Sequence, residues 1–267
     1  MTEKKTYLIT GCSTGIGYEL ALKLAAPNIN LVLAARTTQP LLELSELCKK
    51  RGADILICKT DVSVEAECKN LVTETISRFQ HIDILINNAG ISMTANFDEI
   101  QNVEVFERLM RTNYLGVVYC TYYALESLKK RKGLIVGVSS LQGKTGFPRS
   151  SAYAASKFAL QGFLDSIRIE LSESGVDVLV VSPGPVATDI RNKKLNIHGE
   201  VAKDLKDYSN EKMMPADECA ALIVRAIQKR QRELVMTSSG KILPWLKLIS
   251  PGLVDKIILS KVNKFYS

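Results

Sequence analysis

Short apolar segments alternate with helix-like segments along almost the whole chain. Seven segments are apolar at nearly every position, as strands are when helices cover both faces of a parallel sheet. They lie at residues 7–9, 31–35, 55–58, 84–86, 134–138, 176–181 and 234–236. Apolar residues at helical spacing mark six further segments, at residues 16–26, 41–50, 65–79, 103–130, 152–172 and 216–229.

Strands that alternate with helices form right-handed crossovers in one parallel sheet. The pattern therefore predicts an α/β fold with a Rossmann-like, doubly wound parallel sheet of about seven strands and helices on both faces. Residues 1–239 are expected to form one domain, and residues 240–267 an apolar and basic C-terminal extension.

The composition limits the classes of protein to which this chain can belong. The 267 residues are 46% hydrophobic and 24% charged, which is typical of a globular protein. The polar start and the lack of a long apolar run predict neither a signal peptide nor a membrane span. Six cysteines form no CxxC pair and are accompanied by two histidines. We therefore expect reduced thiols, no metal site and a cytoplasmic location.

The net charge of +7 is concentrated in the C-terminal extension, where five lysines accompany one aspartate. Nucleic-acid binding by the main body is therefore not expected.

Three glycines lie where the first predicted strand passes into the first predicted helix. Gly11 follows the strand, and Gly15 and Gly17 open the helix, whose free N–H groups and dipole favour a phosphate. Glycines that merely close a tight turn are the alternative. In an alternating α/β chain, whose ligands bind beyond the carboxyl ends of the strands, the segment predicts a dinucleotide site that includes Ser13, Thr14 and Ile16.

Four motifs, in order, resemble the short-chain dehydrogenase/reductase family. They are TGCSTGIG at 10–17, NNAG at 87–90, Ser140 with the YAASK segment at 153–157, and PGPVAT at 183–188. Their order and spacing match the family over roughly residues 6–238. The resemblance implies a nicotinamide-dependent oxidoreductase that interconverts a carbonyl and a secondary alcohol.

Tyr153 and Lys157 are four residues apart on a predicted helix, so they share one face. A nearby lysine cation and an oxidised nicotinamide would lower the pKa of a tyrosine from its usual ~10. Tyr153 could then exchange the alcohol proton, and Ser140 could hydrogen-bond the reacting oxygen. In the family, the lysine also holds the nicotinamide ribose, and Asn113 positions a water. An ordinary exposed Tyr–Lys pair is the alternative.

The resemblance implies further cofactor contacts. Asp61 and Val62 would lie beside the adenine, although Asp61 or Ser63 could instead cap the next helix. Asn87 would stabilise the central sheet. The remaining residues implied to contact the cofactor are Asn88, Ala89, Gly90, Pro183, Gly184, Val186 and Thr188.

Charge at the end of the second strand favours NADP(H) over NAD(H). An NAD site of this shape carries an acid there, whereas this strand ends in Ala35 and Arg36. An arginine suits the 2′-phosphate of NADP(H). Thr14 stands where NADP(H) enzymes of the family often have a basic residue, and Arg36 could instead be a solvated surface charge.

Residues 189–214 are expected to form the substrate lid. Apolar residues in it favour an apolar or lipid-like substrate, or they pack the lid down; they are Ile190, Leu195, Ile197, Val201, Leu205, Met213 and Met214. A non-enzymatic dinucleotide sensor on the same fold is the alternative function. By analogy with the family, we expect a homodimer or homotetramer built on the helices that carry Asn113 and Tyr153.

The extension, residues 240–267, is both apolar and basic. It either packs on its own domain or a partner subunit, or it lies on an anionic membrane surface as a peripheral anchor. Pro244 and Pro251 are expected to break it into short segments. If membrane contact through the extension is the main function, the protein is a membrane-surface interaction protein.

Overall fold

A computed structural model describes residues 4–202 and 213–266, with side chains described up to residue 260. Nine strands occur in this part of the chain: β1 Lys5–Thr10, β2 Ile29–Ala35, β3 Asp54–Lys59, β4 Ile84–Asn87, β5 Leu134–Val138, β6 Asp177–Ser182, β7 Val186–Ala187, β8 Met214–Pro215 and β9 Glu233–Val235. The helices are α1 Gly15–Leu24, α2 Gln39–Lys50, α3 Glu65–Phe79, α4 Glu104–Met110, α5 Gly116–Arg131, α6 Ser151–Glu170, α7 Ala216–Gln228, α8 Ser238–Ile249 and α9 Pro251–Tyr266.

Seven strands form one parallel sheet in the order β3-β2-β1-β4-β5-β6-β9, and β7 pairs with β8 in a separate two-stranded sheet. The prediction of a doubly wound, Rossmann-like sheet of seven strands is confirmed. Strand order reverses between β1 and β4, so a crevice opens at the carboxyl ends of these two strands. The predicted motifs all follow carboxyl ends on this edge of the sheet.

The side chains of β1 show how helices cover the two faces of the sheet. Tyr7 and Ile9 pack in a cluster with residues of α1, α2 and α7. Leu8 points to the opposite face and packs with residues of α3, α5 and α6. Alternation along a strand sends successive side chains to opposite faces, which is why a strand buried on both faces is apolar throughout.

The segment predicted as one helix at 103–130 is divided in the structure. A π-helical turn, Arg111–Leu115, separates α4 from α5 and contains Asn113. Such a turn widens a helix locally and is frequent at functional sites. Apolar spacing continues through it, so the sequence pattern gives no sign of the division.

The C-terminal extension forms two helices. Pro251 is the first residue of α9, a position that suits proline, and the chain leaves helical geometry just before it, at Ser250. The prediction that Pro244 also breaks the extension is wrong, because Pro244 lies inside α8. Thr237 caps the start of α8 by accepting a hydrogen bond from Gly240 N (3.0 Å), and contacts with β9 and α9 support the helix.

The segment predicted as the substrate lid is described only in part, since residues 203–212, including Leu205, lie outside the described residues. In the described part, Leu195 is buried and forms bridges with Met93 and Val201. Across residues 4–202 and 213–266, we find no helix that combines the length and apolar character needed to cross a bilayer.

Candidate active site

A cavity of about 860 Å³ lies at the carboxyl ends of the strands. Most of the residues selected from the sequence line it: Gly11, Ser13, Thr14, Gly15, Ile16, Arg36, Asp61, Val62, Asn88, Ala89, Gly90, Ser140, Tyr153, Lys157, Pro183, Gly184, Val186 and Thr188. Two do not line it, Gly17 and Asn113. The structure thus brings residues from distant parts of the sequence together around one space.

The glycine loop is a close-packed cradle at the start of α1. Gly11 has a φ of +72°, and a Cβ atom there would lie 2.8 Å from Ala89 Cα. A Cβ atom on Gly17 would lie 2.3 Å from the carbonyl oxygen of Gly11. The first turn of α1 contains no acidic residue. The loop therefore fits a pyrophosphate at the helix N-terminus, and Gly17 supports the loop from beneath rather than lining the cavity.

The second asparagine of NNAG fixes this loop to the sheet. Asn88 Nδ2 donates hydrogen bonds to the carbonyl oxygens of Thr10 (3.0 Å) and Gly11 (3.1 Å). Asn87, which the sequence predicted to stabilise the central sheet, donates a hydrogen bond to Thr121 Oγ1 (3.3 Å). This bond links the end of β4 to α5, so the two asparagines hold different parts of the fold.

Tyr153 lies near the start of α6 in a half-buried position and shares a hydrogen bond with Ser140. Burial raises the pKa of Tyr153 to about 12, and the hydrogen bond with Ser140 offsets this only in part. The sequence predicted a pKa lowered by two cations together, the Lys157 ammonium and an oxidised nicotinamide. In the protein without cofactor, the lost hydration of the phenolate is the largest effect on the pKa, and Lys157 Nζ lies over the ring, 5.7 Å from its centroid.

Lys157 is itself buried, one turn along α6. Its ammonium donates a hydrogen bond to the carbonyl oxygen of Val138 (2.8 Å) at the end of β5. Burial lowers the pKa of Lys157 from 10.5 to about 8, because a cation is costly away from water. The amine is therefore still largely protonated at pH 7, and the pair is not an ordinary exposed one.

Asn113 is fully buried in the π-helical turn. Its amide accepts a hydrogen bond from Ile91 N and donates to Ile91 O and Ser156 Oγ, each at 2.9 Å. Gly90 lies between Asn113 and Lys157, since a Cβ atom on it would be 3.2 Å from Asn113 Oδ1 and 3.7 Å from Lys157 Nζ. The missing Cβ atom therefore keeps a side chain out of the position between these two polar groups.

Two charged residues stand at the adenosine end of the cavity. Arg36 follows β2 directly and is exposed. Asp61 follows β3, and its Oδ1 accepts hydrogen bonds from Ser63 N (2.9 Å) and Ser63 Oγ (2.7 Å). Asp61 does not cap α3, whose N-cap is Val64. The carboxylate instead shapes the turn before the helix.

The C-terminal extension contributes a wall of the cavity that the sequence reasoning missed. Leu243 and Pro244 of α8 and Ile258 of α9 line the cavity, and Val254 and Ile258 are buried. The i, i+4 spacing of Val254 and Ile258 signals a buried helix face, but nothing in the sequence indicates what that face covers.

Comparison with known proteins identifies the family. The family model described as short chain dehydrogenase matches residues 5–197. The chain belongs to this family. It is 37% identical over 252 residues to an Arabidopsis thaliana 11-beta-hydroxysteroid dehydrogenase-like protein 4A, covering 94% of this chain and 82% of the relative. A Dictyostelium discoideum dehydrogenase/reductase SDR family protein 7-like is 31% identical, over 98% of this short-chain dehydrogenase and 84% of the relative.

Two solved structures resemble the fold. An alcohol dehydrogenase from the archaeon Thermococcus sibiricus, complexed with 5-hydroxy-NADP, has a TM-score of 0.73 and 26% identity, covering 87% of this chain and 94% of its own. A short-chain dehydrogenase/reductase from Burkholderia phymatum, in complex with NAD, has a TM-score of 0.83 at 22% identity, covering 94% and 95%. The protein is a dehydrogenase that acts on a CH–OH/C=O couple with a nicotinamide dinucleotide, which disfavours a non-enzymatic sensor.

Proposed function

We propose that the protein is an NADP(H)-dependent oxidoreductase that interconverts a carbonyl and a secondary alcohol on an apolar or lipid-like small molecule. The observation that carries the proposal is the half-buried Tyr153, which is hydrogen-bonded to Ser140 and has the Lys157 ammonium over its ring, in one large cavity. Ser140, Tyr153 and Lys157 are its catalytic residues, and Asn113 completes the set.

Tyr153 is the proton donor for carbonyl reduction. Because burial raises its pKa to about 12, Tyr153 keeps its proton at neutral pH and can give it to the substrate oxygen. Ser140 hydrogen-bonds the same oxygen and orients the phenol. When bound, the nicotinamide supplies or accepts the hydride.

Lys157 has two roles in this proposal. Its charge stabilises the phenolate that remains after proton transfer, and its ammonium can also hold the nicotinamide ribose. Asn113 then positions a water in the space beside Gly90, so that Lys157 can relay a proton to Tyr153. The close approach of Gly90 to both polar groups supports this arrangement.

Arg36 supports the preference for NADP(H). It lines the cavity beside Ala35, and no carboxylate stands at the end of β2. Arginine suits a phosphate monoester. The Thermococcus sibiricus alcohol dehydrogenase, which is complexed with 5-hydroxy-NADP, is consistent with this choice.

The lining of the cavity supports an apolar substrate. Apolar side chains come from the loops after β4 and β5, the proposed lid and the extension: Ile91, Leu141, Phe147, Ile190, Leu195, Val201, Leu243, Pro244 and Ile258. Several relatives carry hydroxysteroid dehydrogenase names, which fits a large apolar carbonyl compound.

The proposal is tested by NADPH oxidation with a panel of carbonyl compounds graded by chain length and ring size, run in parallel with NADH. We expect turnover that improves with apolar size and a preference for NADPH. Turnover confined to small polar carbonyls, or a preference for NADH, would contradict the proposal.

We propose a peripheral membrane contact as a second role of the extension. Trp245, Leu248 and Ile249 are 71%, 77% and 84% exposed on α8, which is more apolar surface than a solvated helix normally carries. The exposed Lys241 and Lys256 add positive charge nearby, as expected for binding to anionic lipid.

We also propose that the enzyme is cytoplasmic and forms a homodimer or homotetramer. All six cysteines are free and buried, which suits a reducing compartment.

The proposed assembly is supported by exposed apolar side chains on the two long helices, Tyr122 on α5 and Phe158 and Ile169 on α6. These side chains favour subunit contacts through the two helices. Sedimentation velocity measures the assembly state.

A further inference from the structure

A second opening lies beside the active-site cavity, between the loop at residues 145–148 and the two helices of the extension. This cleft has a volume of about 500 Å³. It is lined by Thr145, Gly146, Phe147, Pro148, Lys247, Asp255, Ile258 and Leu259. The cleft is therefore formed by a catalytic-site loop on one side and by the extension on the other.

The cavity and the cleft share one wall. Thr145, Phe147, Pro148 and Ile258 line both spaces. Phe147 is half-buried on the loop, and Ile258 is buried on α9. The four shared residues therefore form the boundary between the cavity and the cleft.

The volume of the cavity also limits how much of a long substrate can lie inside it together with the cofactor. The residues expected to hold the dinucleotide, from Gly11 through Arg36 to Thr188, line this same cavity of about 860 Å³. A bound dinucleotide would take part of this space, so less of the cavity is left for the substrate. A long molecule with its carbonyl at Tyr153 can extend into the cleft, which adjoins the cavity.

We propose that the cleft is a second compartment of the substrate site, which holds the distal end of an elongated apolar substrate. The proposal rests on the proposed function, in which the substrate carbonyl lies at Tyr153. Lys247 and Asp255 are exposed at the solvent edge of the cleft, so a polar group at the far end of the substrate is solvated there. The substrate class is a long apolar chain or an extended ring system with a reactive carbonyl near one end.

A large side chain introduced at Gly146 would fill the cleft with little effect on the backbone. It is exposed, its φ lies outside the left-handed region, and a Cβ atom on it would meet nothing within 4 Å. Gly252 on α9 has the same properties but lines neither space. Gly146→Phe is therefore the test variant, and Gly252→Phe is its matched control.

The experiment measures kcat/KM with NADPH for a series of straight-chain ketones of increasing length. In the wild type and in Gly252→Phe, kcat/KM should rise by about fourfold for each methylene that enters the cleft, the fold-change that corresponds to about 0.8 kcal/mol. In Gly146→Phe, the rise should stop at the length that fills the first cavity, so the ratio of long-chain to short-chain kcat/KM falls at least tenfold. Leu259→Trp, which narrows the cleft from the opposite side, should give the same result if Gly146→Phe folds poorly.

Several outcomes would overturn the inference. Identical chain-length profiles for Gly146→Phe, Leu259→Trp and Gly252→Phe would show that the cleft takes no substrate. A wild-type profile that is flat beyond short ketones would also overturn it, and turnover of the short ketones with NADPH would leave the proposed carbonyl reduction standing. The lack of turnover with every ketone would instead refute the proposed function, on which the inference rests.

Discussion

Replacing Lys157 by methionine should change how stability depends on pH while it removes activity. Burial lowers the pKa of Lys157 from 10.5 to about 8, which corresponds to a cost of about 3 kcal/mol for the buried cation at 1.36 kcal/mol per pKa unit. Methionine removes this cost but leaves the Val138 carbonyl without its donor, a loss of about 2 kcal/mol. At pH 7, Lys157→Met should therefore be more stable than the wild type by about 1 kcal/mol.

The sign of the pH effect follows from the two protonation states. Below pH 8, the lysine is charged in the folded and in the unfolded chain, so the wild type bears the full cost. Between pH 8 and 10.5, the folded chain loses the proton first, and the cost shrinks. Above pH 10.5 both states are neutral, and the variant should be less stable by about 2 kcal/mol because only the lost hydrogen bond remains.

Urea unfolding at pH 7 and pH 10.5 measures this difference, with Lys69→Met, an exposed lysine on α3, as the control. Other titrating groups cancel because wild type and variant are compared at the same pH. A difference between wild type and Lys157→Met that does not change with pH, as expected for Lys69→Met, would refute the reasoning. Confirmation would show that the lysine is kept at the expense of stability, as expected for a functional residue.

Three further predictions concern the cofactor and the extension. Arg36→Ala should weaken NADPH binding by roughly tenfold to a hundredfold, the loss of a charge-assisted hydrogen bond, and leave NADH binding almost unchanged; equal losses in titration calorimetry would contradict this. Gly17→Ala should lower the free energy of unfolding by about 1–3 kcal/mol and weaken cofactor binding, because the new methyl group meets the Gly11 carbonyl; wild-type values for both would count against the cradle. Full-length protein should co-sediment with anionic vesicles at low salt and should bind less at high salt. Trp245→Asp should reduce this binding more than Val103→Asp, a control at another exposed apolar residue. If the full-length protein stays in the supernatant, α8 does not bind membranes, and its apolar surface would serve a contact with another protein.

Local patterning was sufficient to predict the sheet. Every strand of the main sheet is an apolar segment bounded by turn residues, and β1 shows why, since both of its faces are buried. The short pair β7 and β8 was missed because two-residue strands carry no periodic signal. The glycine loop and the Tyr153–Lys157 pair were found because their spacing is local.

Features that depend on distant contacts were not predictable. The π-helical turn at Asn113 preserves apolar spacing, so it resembles an ordinary helix in the sequence. The raised pKa of Tyr153 depends on burial by residues far along the chain, whereas the sequence shows only its neighbour Lys157. The contribution of α8 and α9 to the cavity wall likewise arises from tertiary packing, which also holds Pro244 within a helix.

The measurement that tests the account most directly is the turnover of Tyr153→Phe with NADPH and an apolar ketone. The variant keeps the ring and removes the hydroxyl that shares a hydrogen bond with Ser140. We predict that kcat falls by about 10²–10⁴-fold, the contribution of a positioned proton donor, while the Kd for NADPH stays close to that of the wild type. A Tyr153→Phe enzyme that keeps near wild-type kcat would contradict the assignment of Tyr153 as the proton donor.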